Sequence, residues 1–153
     1  MPSALYTRDI LRLAASIPCQ QRLDSPDASA ECRSPVCGSR VAVDVVLTPD
    51  GRVARLGIET QACALGQASA ALMGRHAVGR SAGELEEATA ALRAYLADPA
   101  AAAETPFWPG LAVFAEARAY PARHPSIMLA FEAASLAARR AMATPLSLRE
   151  AEA

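Results

Sequence analysis

The chain contains no lysine and no asparagine; all fifteen of its basic residues are arginine. With so much alanine, this reads as GC-rich coding bias, so a single arginine carries little functional weight. No run reaches the roughly 18 uninterrupted apolar residues that a membrane helix needs. The opening M-P-S-A-L-Y-T-R-D-I lacks a basic stretch followed by an apolar run, so no secretory signal is expected. There is no C-x-x-C pair, which excludes zinc-ribbon and thioredoxin-type readings. There is also no glycine-rich phosphate loop, no H-E-x-x-H and no serine nucleophile elbow, so hydrolase and nucleotide readings have nothing to rest on. A formal net charge of -1 and a pI of about 6.1 give no attraction to nucleic acid. These absences predict a cytoplasmic protein without nucleic-acid or membrane partners. In a reducing compartment its four cysteines are metal-binding, catalytic or buried rather than disulfide-bonded.

What is present organises one domain over residues 1–153. The 52% hydrophobic content is enough for a core. Residues 4–15 place Tyr6, Ile10, Leu13 and Ala14 on one helical face, and Pro18 follows. Residues 19–27 are polar and read as loop; residues 28–34 read as a short first strand of poor pattern. Arg40 to Thr48 alternates with Val41, Val43, Val45 and Leu47 on one side. Pro49-Asp50-Gly51 turns the chain, and Arg52 to Thr60 alternates again, with Gly57 expected as a bulge. From Ala64 to about His76 the period becomes helical. Ser81 and Glu84 form a capping box for the next helix, which buries Leu85, Ala88, Leu92 and Tyr95. Residues 98–106 are a connector. Phe107 to Tyr120 is expected to be a helix ended by Pro121, with Trp108 and Phe107 as core anchors. Pro125 suits the first position of a last helix carrying Ile127, Phe131, Ala134 and Ala138, and the residues after Thr144 are expected to fray. Strands early and helices late predict an α+β fold, a small antiparallel sheet of about three strands with helices on one face.

Two cysteines stand apart from this pattern. Cys37 lies in the tight turn S-P-V-C-G-S, and Cys63 sits at the mouth of a helix in Q-A-C-A-L-G-Q-A-S-A. The hairpin between them brings the two segments to one end of the sheet. A helix mouth favours bound anions, including thiolate-held groups, and thiolates are the ligands that zinc and iron–sulfur clusters select. By spacing alone, two small buried hydrophobes remain an equal alternative.

Beyond spacing, the order of motifs resembles the iron–sulfur cluster assembly scaffold family, the group of IscU, SufU and the NifU N-terminal domain. S-P-V-C-G-S resembles the family's N-P-x-C-G-D. T-Q-A-C-A-L-G-Q-A-S-A-A-L-M resembles its G-C-x-x-x-x-A-S-A-S-x-M. The connector followed by P-A-R-H-P-S-I-M-L-A-F-E-A resembles the SufU-type branch, and the likeness runs over roughly residues 4–140. The resemblance implies a SufE/NifU-like fold. It implies a scaffold for iron–sulfur cluster assembly rather than an enzyme, with a transient cluster or zinc as the bound group and a cysteine desulfurase as partner. It places the first two cysteine ligands on Cys37 and Cys63. The family's aspartate falls on Ser39, its third cysteine on Ser126 and its histidine on Pro125, with His124 one position back.

Serine is a poor ligand for zinc or iron at neutral pH, and two thiolates do not complete a four-ligand site. Four readings stay open. His124 or Cys32 substitutes for the lost ligands, a homodimer pools two thiols per chain, a single thiol accepts and passes on sulfur, or the chain is a degenerate member that serves as a protein-interaction module without metal. A zinc-dependent accessory to the desulfurase is a variant of the third. Among the remaining candidates, His76 caps the dipole of its helix, His124 is expected to be extended and exposed before Pro125, and Arg123 is solvated. Cys32 is a half-buried strand residue, and Cys19 is incidental.

Overall fold

The computed structural model describes residues 6–35, 38–98, 100–101 and 108–144. The first helix, α1, covers Arg8–Ala14, shorter than the expected 4–15, of which residues 4 and 5 lie outside the described residues. Thr7 sets its start, because the Thr7 hydroxyl accepts the Ile10 N–H at 3.2 Å. Ile10 and Leu13 are its buried face.

Three strands follow: β1 (Ala28–Arg33), β2 (Arg40–Leu47) and β3 (Val53–Gln61). They form an antiparallel sheet in the order β1-β2-β3. Val43 lies between Ala30 and Ile58, and Asp44 between Ser29 and Gly57, so the two faces are set by strand alternation. Ala30, Val41, Val43, Val45, Leu56 and Ile58 make the buried inner face.

The irregularity in the β2–β3 pairing is not at Gly57, as expected. It falls between Val46 and Leu47, where Arg55 and Val53 are the partners and Ala54 is the extra residue. This bulge explains why Val53 and Leu56, three apart, are both buried. Gly57 serves a different need. A Cβ there would lie 2.7 Å from the carbonyl oxygen of Gln21, so glycine lets the loop after α1 lie against the sheet.

Three longer helices complete the chain: α2 (Ala64–His76), α3 (Ala82–Ala97) and α4 (His124–Ala143). α4 packs on β1 and β2, α2 on β3 and α4, α3 on α4, and α1 on α2. Helices thus cover the inner face, as the α+β reading requires. The capping box is present: Ser81 Oγ accepts from Glu84 N–H at 3.2 Å, and Glu84 accepts from Ser81 N–H at 3.0 Å.

The helix expected over residues 107–120 is instead two short 3₁₀ turns, Leu111–Phe114 and Glu116–Ala119, and residue 107 lies outside the described residues. Pro121 does not simply stop this segment; it opens a third 3₁₀ turn, Pro121–Arg123, that runs straight into α4. Aromatic anchoring holds the region in place of helical bonds. Trp108 is fully buried, donates to the Leu72 carbonyl at 3.0 Å and meets Phe131 edge-on at 5.5 Å. No helix among the described residues is long and apolar enough to cross a membrane.

Candidate functional site

Arg33, Arg40 and Gln61 face one another across the last rung of the sheet. Beyond that rung the chain makes two exits. One is the turn from residue 34 to residue 39, closed by Ser34 N–H to the Ser39 carbonyl (2.8 Å) and Gly38 N–H to the Ser34 carbonyl (3.1 Å). Gly38 has φ +73°, which explains the glycine there. Cys37 itself lies outside the described residues, between these two closing bonds in sequence. The second exit is Gln61–Ala62 into Cys63, the N-cap of α2.

Cys63 has an extended backbone (φ −65°, ψ 171°), its carbonyl accepts the first helical bond from Gln67 at 2.9 Å, and its thiol makes no capping hydrogen bond. It is half-buried against the core. The turn and Cys63 therefore share one end of the sheet, as the hairpin spacing predicts.

Ser126 lies in the first turn of α4 and is 3% exposed. The first turns of α2 and α4 touch, because a Cβ on Gly66 would lie 3.3 Å from the Ser126 carbonyl oxygen and 3.9 Å from its Cβ. Ser69 fastens the same contact by donating to the Ile127 carbonyl at 2.5 Å. Ser126 thus lies against Gly66, three residues into the helix that Cys63 caps. Ser39 is buried at the base of the turn.

His124 is neither extended nor exposed. It is helical (φ −58°, ψ −42°), half-buried, and its Nε2 lies 3.0 Å from the Ala117 carbonyl. The preceding 3₁₀ turn delivers the chain already helical, and Pro125 is tolerated because a first-turn N–H needs no partner. A carbonyl only accepts, so Nε2 carries the proton and the neutral ring keeps its lone pair on Nδ1. Ligating histidines are commonly oriented by such a bond from the opposite ring nitrogen.

Of the other thiols, Cys32 lies one rung from this end and Cys19 lies away from it in the loop after α1. Cys32 is half-buried in β1 opposite Val41, and burial, then Glu132, pushes its pKa up, so it stays a thiol. Cys19 is exposed in the loop after α1 at φ +58°. Among the described residues, no three His, Cys, Asp or Glu side chains are grouped to hold a metal ion. His76 closes α2 with its ring edge-on to Trp108 at 6.5 Å; burial, then Arg80 and Arg75, lowers its pKa and keeps it neutral.

One feature escapes the motifs altogether. Asp44 is fully buried on the outer face of β2, where it accepts from Arg22 at 2.7 and 2.9 Å, from Leu23 N–H at 2.9 Å and from Ser29 at 2.5 Å. The signal was a lone acid inside R-V-A-V-D-V-V-L. Toward the site end of that face, Arg40 spans all three strands, reaching Glu31 on β1 (3.0 Å) and Glu59 and Gln61 on β3 (3.2 and 3.0 Å). It clasps together the strand ends from which the turn and Cys63 emerge.

No protein-family model and no curated protein sequence matches the chain. Solved structures do. The N-terminal part of a nitrogen-fixing NifU-like protein from Brucella abortus is 33% identical, with TM-score 0.86, over 94% of this chain and 98% of that one. A protein described as a candidate iron–sulfur cluster assembly scaffold for the SUF system of Fervidobacterium islandicum AW-1 shares the fold at 16% identity, with TM-score 0.80, over 90% and 99% of the two chains. A hypothetical protein shares it at 20% identity, with TM-score 0.70, over 90% and 98%.

Proposed function

Because this chain belongs to the NifU-like family of the NifU/IscU/SufU group, we propose that it is an iron–sulfur cluster assembly scaffold-like protein whose working thiols are Cys37 and Cys63. The supporting observation is the geometry of one sheet end. The turn that carries Cys37, the N-cap thiol of Cys63 and the buried Ser126 all belong to segments that meet there. The scaffold description of the Fervidobacterium neighbour is consistent with this role.

The cluster is cargo here, and the protein performs no turnover. Iron carries its own charge into the site and is taken by thiolates, which the exposed N–H groups of the α2 mouth favour. Each chain supplies two thiolates. Ser126 and Ser39 offer hydroxyls in place of stronger ligands, and His124 offers a fixed tautomer with a lone pair on Nδ1. Two chains together supply four thiolates, the number a cluster takes.

Ser126 favours a second reading, sulfur transfer. Only one thiolate is needed to attack the outer sulfur of a persulfide on a cysteine desulfurase. The donor S–S bond breaks, a new S–S bond forms on Cys37 or Cys63, and the desulfurase thiolate leaves. No metal enters that step.

Anaerobic purification followed by iron, zinc and sulfide assay, with and without a desulfurase and cysteine, separates the two readings. Cluster absorbance that disappears in Cys37→Ala and in Cys63→Ala supports the scaffold. A persulfide on either thiol by mass spectrometry, with no metal, supports sulfur transfer. Neither signal sinks both and leaves a protein-interaction module.

A further inference from the structure

Away from the sheet end, the antiparallel pair α3 and α4 encloses a solvent-open cleft of about 260 Å³ lined by Glu86, Thr89, Arg93, Glu132, Ser135 and Arg139, with Leu136 beside them. Its two ends mirror each other. Glu86 pairs with Arg139 at 2.7 Å, and Arg93 pairs with Glu132 at 3.0 Å. The two pairs are two helical turns apart, about 10 Å along the axis. The floor is polar. Thr89 donates its one hydroxyl proton to the Leu85 carbonyl at 2.7 Å, and the Phe131 carbonyl lies 3.2 Å from the same oxygen.

Ser135 is the telling residue. It is 5% exposed and has no hydrogen-bond partner among the described residues. A helical serine can return its proton to the carbonyl four residues back; no such bond from Ser135 to Phe131 is made here, and that carbonyl lies 3.2 Å from the Thr89 hydroxyl. A buried hydroxyl left this way is costly unless something in the cleft completes it.

We propose that this cleft binds a small zwitterion of the α-amino acid type. Each end presents one guanidinium and one carboxylate, so the rim has no net charge and selects against a simple anion or cation. At one end, an α-amino acid can set its carboxylate on Arg93 and its ammonium on Glu132, with Ser135, one turn further along α4, in the same lining. Exchange of partners costs little, because ion pairs as exposed as these contribute little to stability. A cleft of about 260 Å³ has room for a free amino acid.

The test is a titration of the full-length chain with L-alanine, followed by amide chemical shifts, with sodium acetate and methylammonium chloride as single-charge controls. The expected result is a saturable shift centred on Thr89 and Ser135 with L-alanine and none of comparable size with either control. Ser135→Ala, a conservative change at a helical site, should fold and weaken that binding roughly tenfold. Glu132→Gln should weaken it by a similar factor. No saturable response by about 50 mM, an equal response to acetate or methylammonium, or undiminished binding in Ser135→Ala would overturn the proposal.

Discussion

Ser126 decides more than any other single residue. It occupies the contact between the first turns of α2 and α4, and the added volume of a sulfur for an oxygen is small there. With Cys37 and Cys63 as the proposed ligands, Ser126→Cys is expected to raise zinc affinity about a hundredfold or more by adding a third thiolate. Competition against a chelating dye measures it; an unchanged affinity means that the third position lies elsewhere. At the same scale, Asp44 is a stability residue. Burial opposes its ionisation, but hydrogen bonds from Arg22, Ser29 and Leu23 N–H outweigh that and hold its pKa below the ordinary value. A depressed carboxyl pKa adds stability above the unfolded value near 4, and that stability is lost as pH falls through the lower, folded value. Urea unfolding of the wild type should thus weaken below about pH 4, and Asp44→Asn should flatten that dependence. Arg22→Ala strands a buried carboxylate and should cost about 2 kcal/mol at neutral pH, less than the 3–5 of a fully buried pair because Arg22 is 46% exposed. The cysteines and Ser126 were legible as motif positions. Asp44 was not, because a lone acid on an alternating strand reads as solvent-facing until the loop over that face is known.

At the scale of elements, the strands and the long helices were readable because period, turn chemistry and caps agreed. β2, α2 and the capping box of α3 fell within a residue or so of expectation. Ser81→Ala should remove the cap and cost about 1 kcal/mol, a drop of roughly 2–4 °C in Tm for a chain of this size; an unchanged Tm contradicts it. In the segment after residue 107, Trp108, Leu111 and Phe114 have helical spacing, yet Trp108 commits its indole N–H to the Leu72 carbonyl and the chain tightens into 3₁₀ turns. The loop from Cys19 to Asp27 is legible as loop, but its seat on the sheet is not. Ile58 N–H to the Cys19 carbonyl (2.8 Å) and the bare Cα of Gly57 hold it to the sheet. Gly57→Ala must push the Gln21 carbonyl away and should cost about 2 kcal/mol or more. Amide exchange checks the mechanism: Ile58 should lose protection first, before the strand around Val43.

At the scale of the whole molecule, the proposed ligand pair Cys37 and Cys63 poses the question of how two thiols per chain would reach the four ligands that a metal or cluster takes. The described residues of one chain group no further set of ligands. Among the described residues, His124 and Cys32 are the candidate reserves; the His124 ring is fastened to the Ala117 carbonyl and burial keeps Cys32 a thiol. The economical completion is a second copy bringing its own Cys37 and Cys63. Loading zinc or ferrous iron anaerobically should then drive a monomer to a dimer with about one metal for every two chains. Sedimentation velocity across a metal titration reads both quantities at once. Ser126→Cys should shift the balance back, toward about one metal per monomer, because each chain then offers three thiolates and needs only one outside ligand. A wild-type monomer that binds one metal tightly would sink the pooled-thiol account and assign the missing ligation to His124. A His124→Ala substitution would then abolish that binding while leaving the Cys63-bearing mouth of α2 intact.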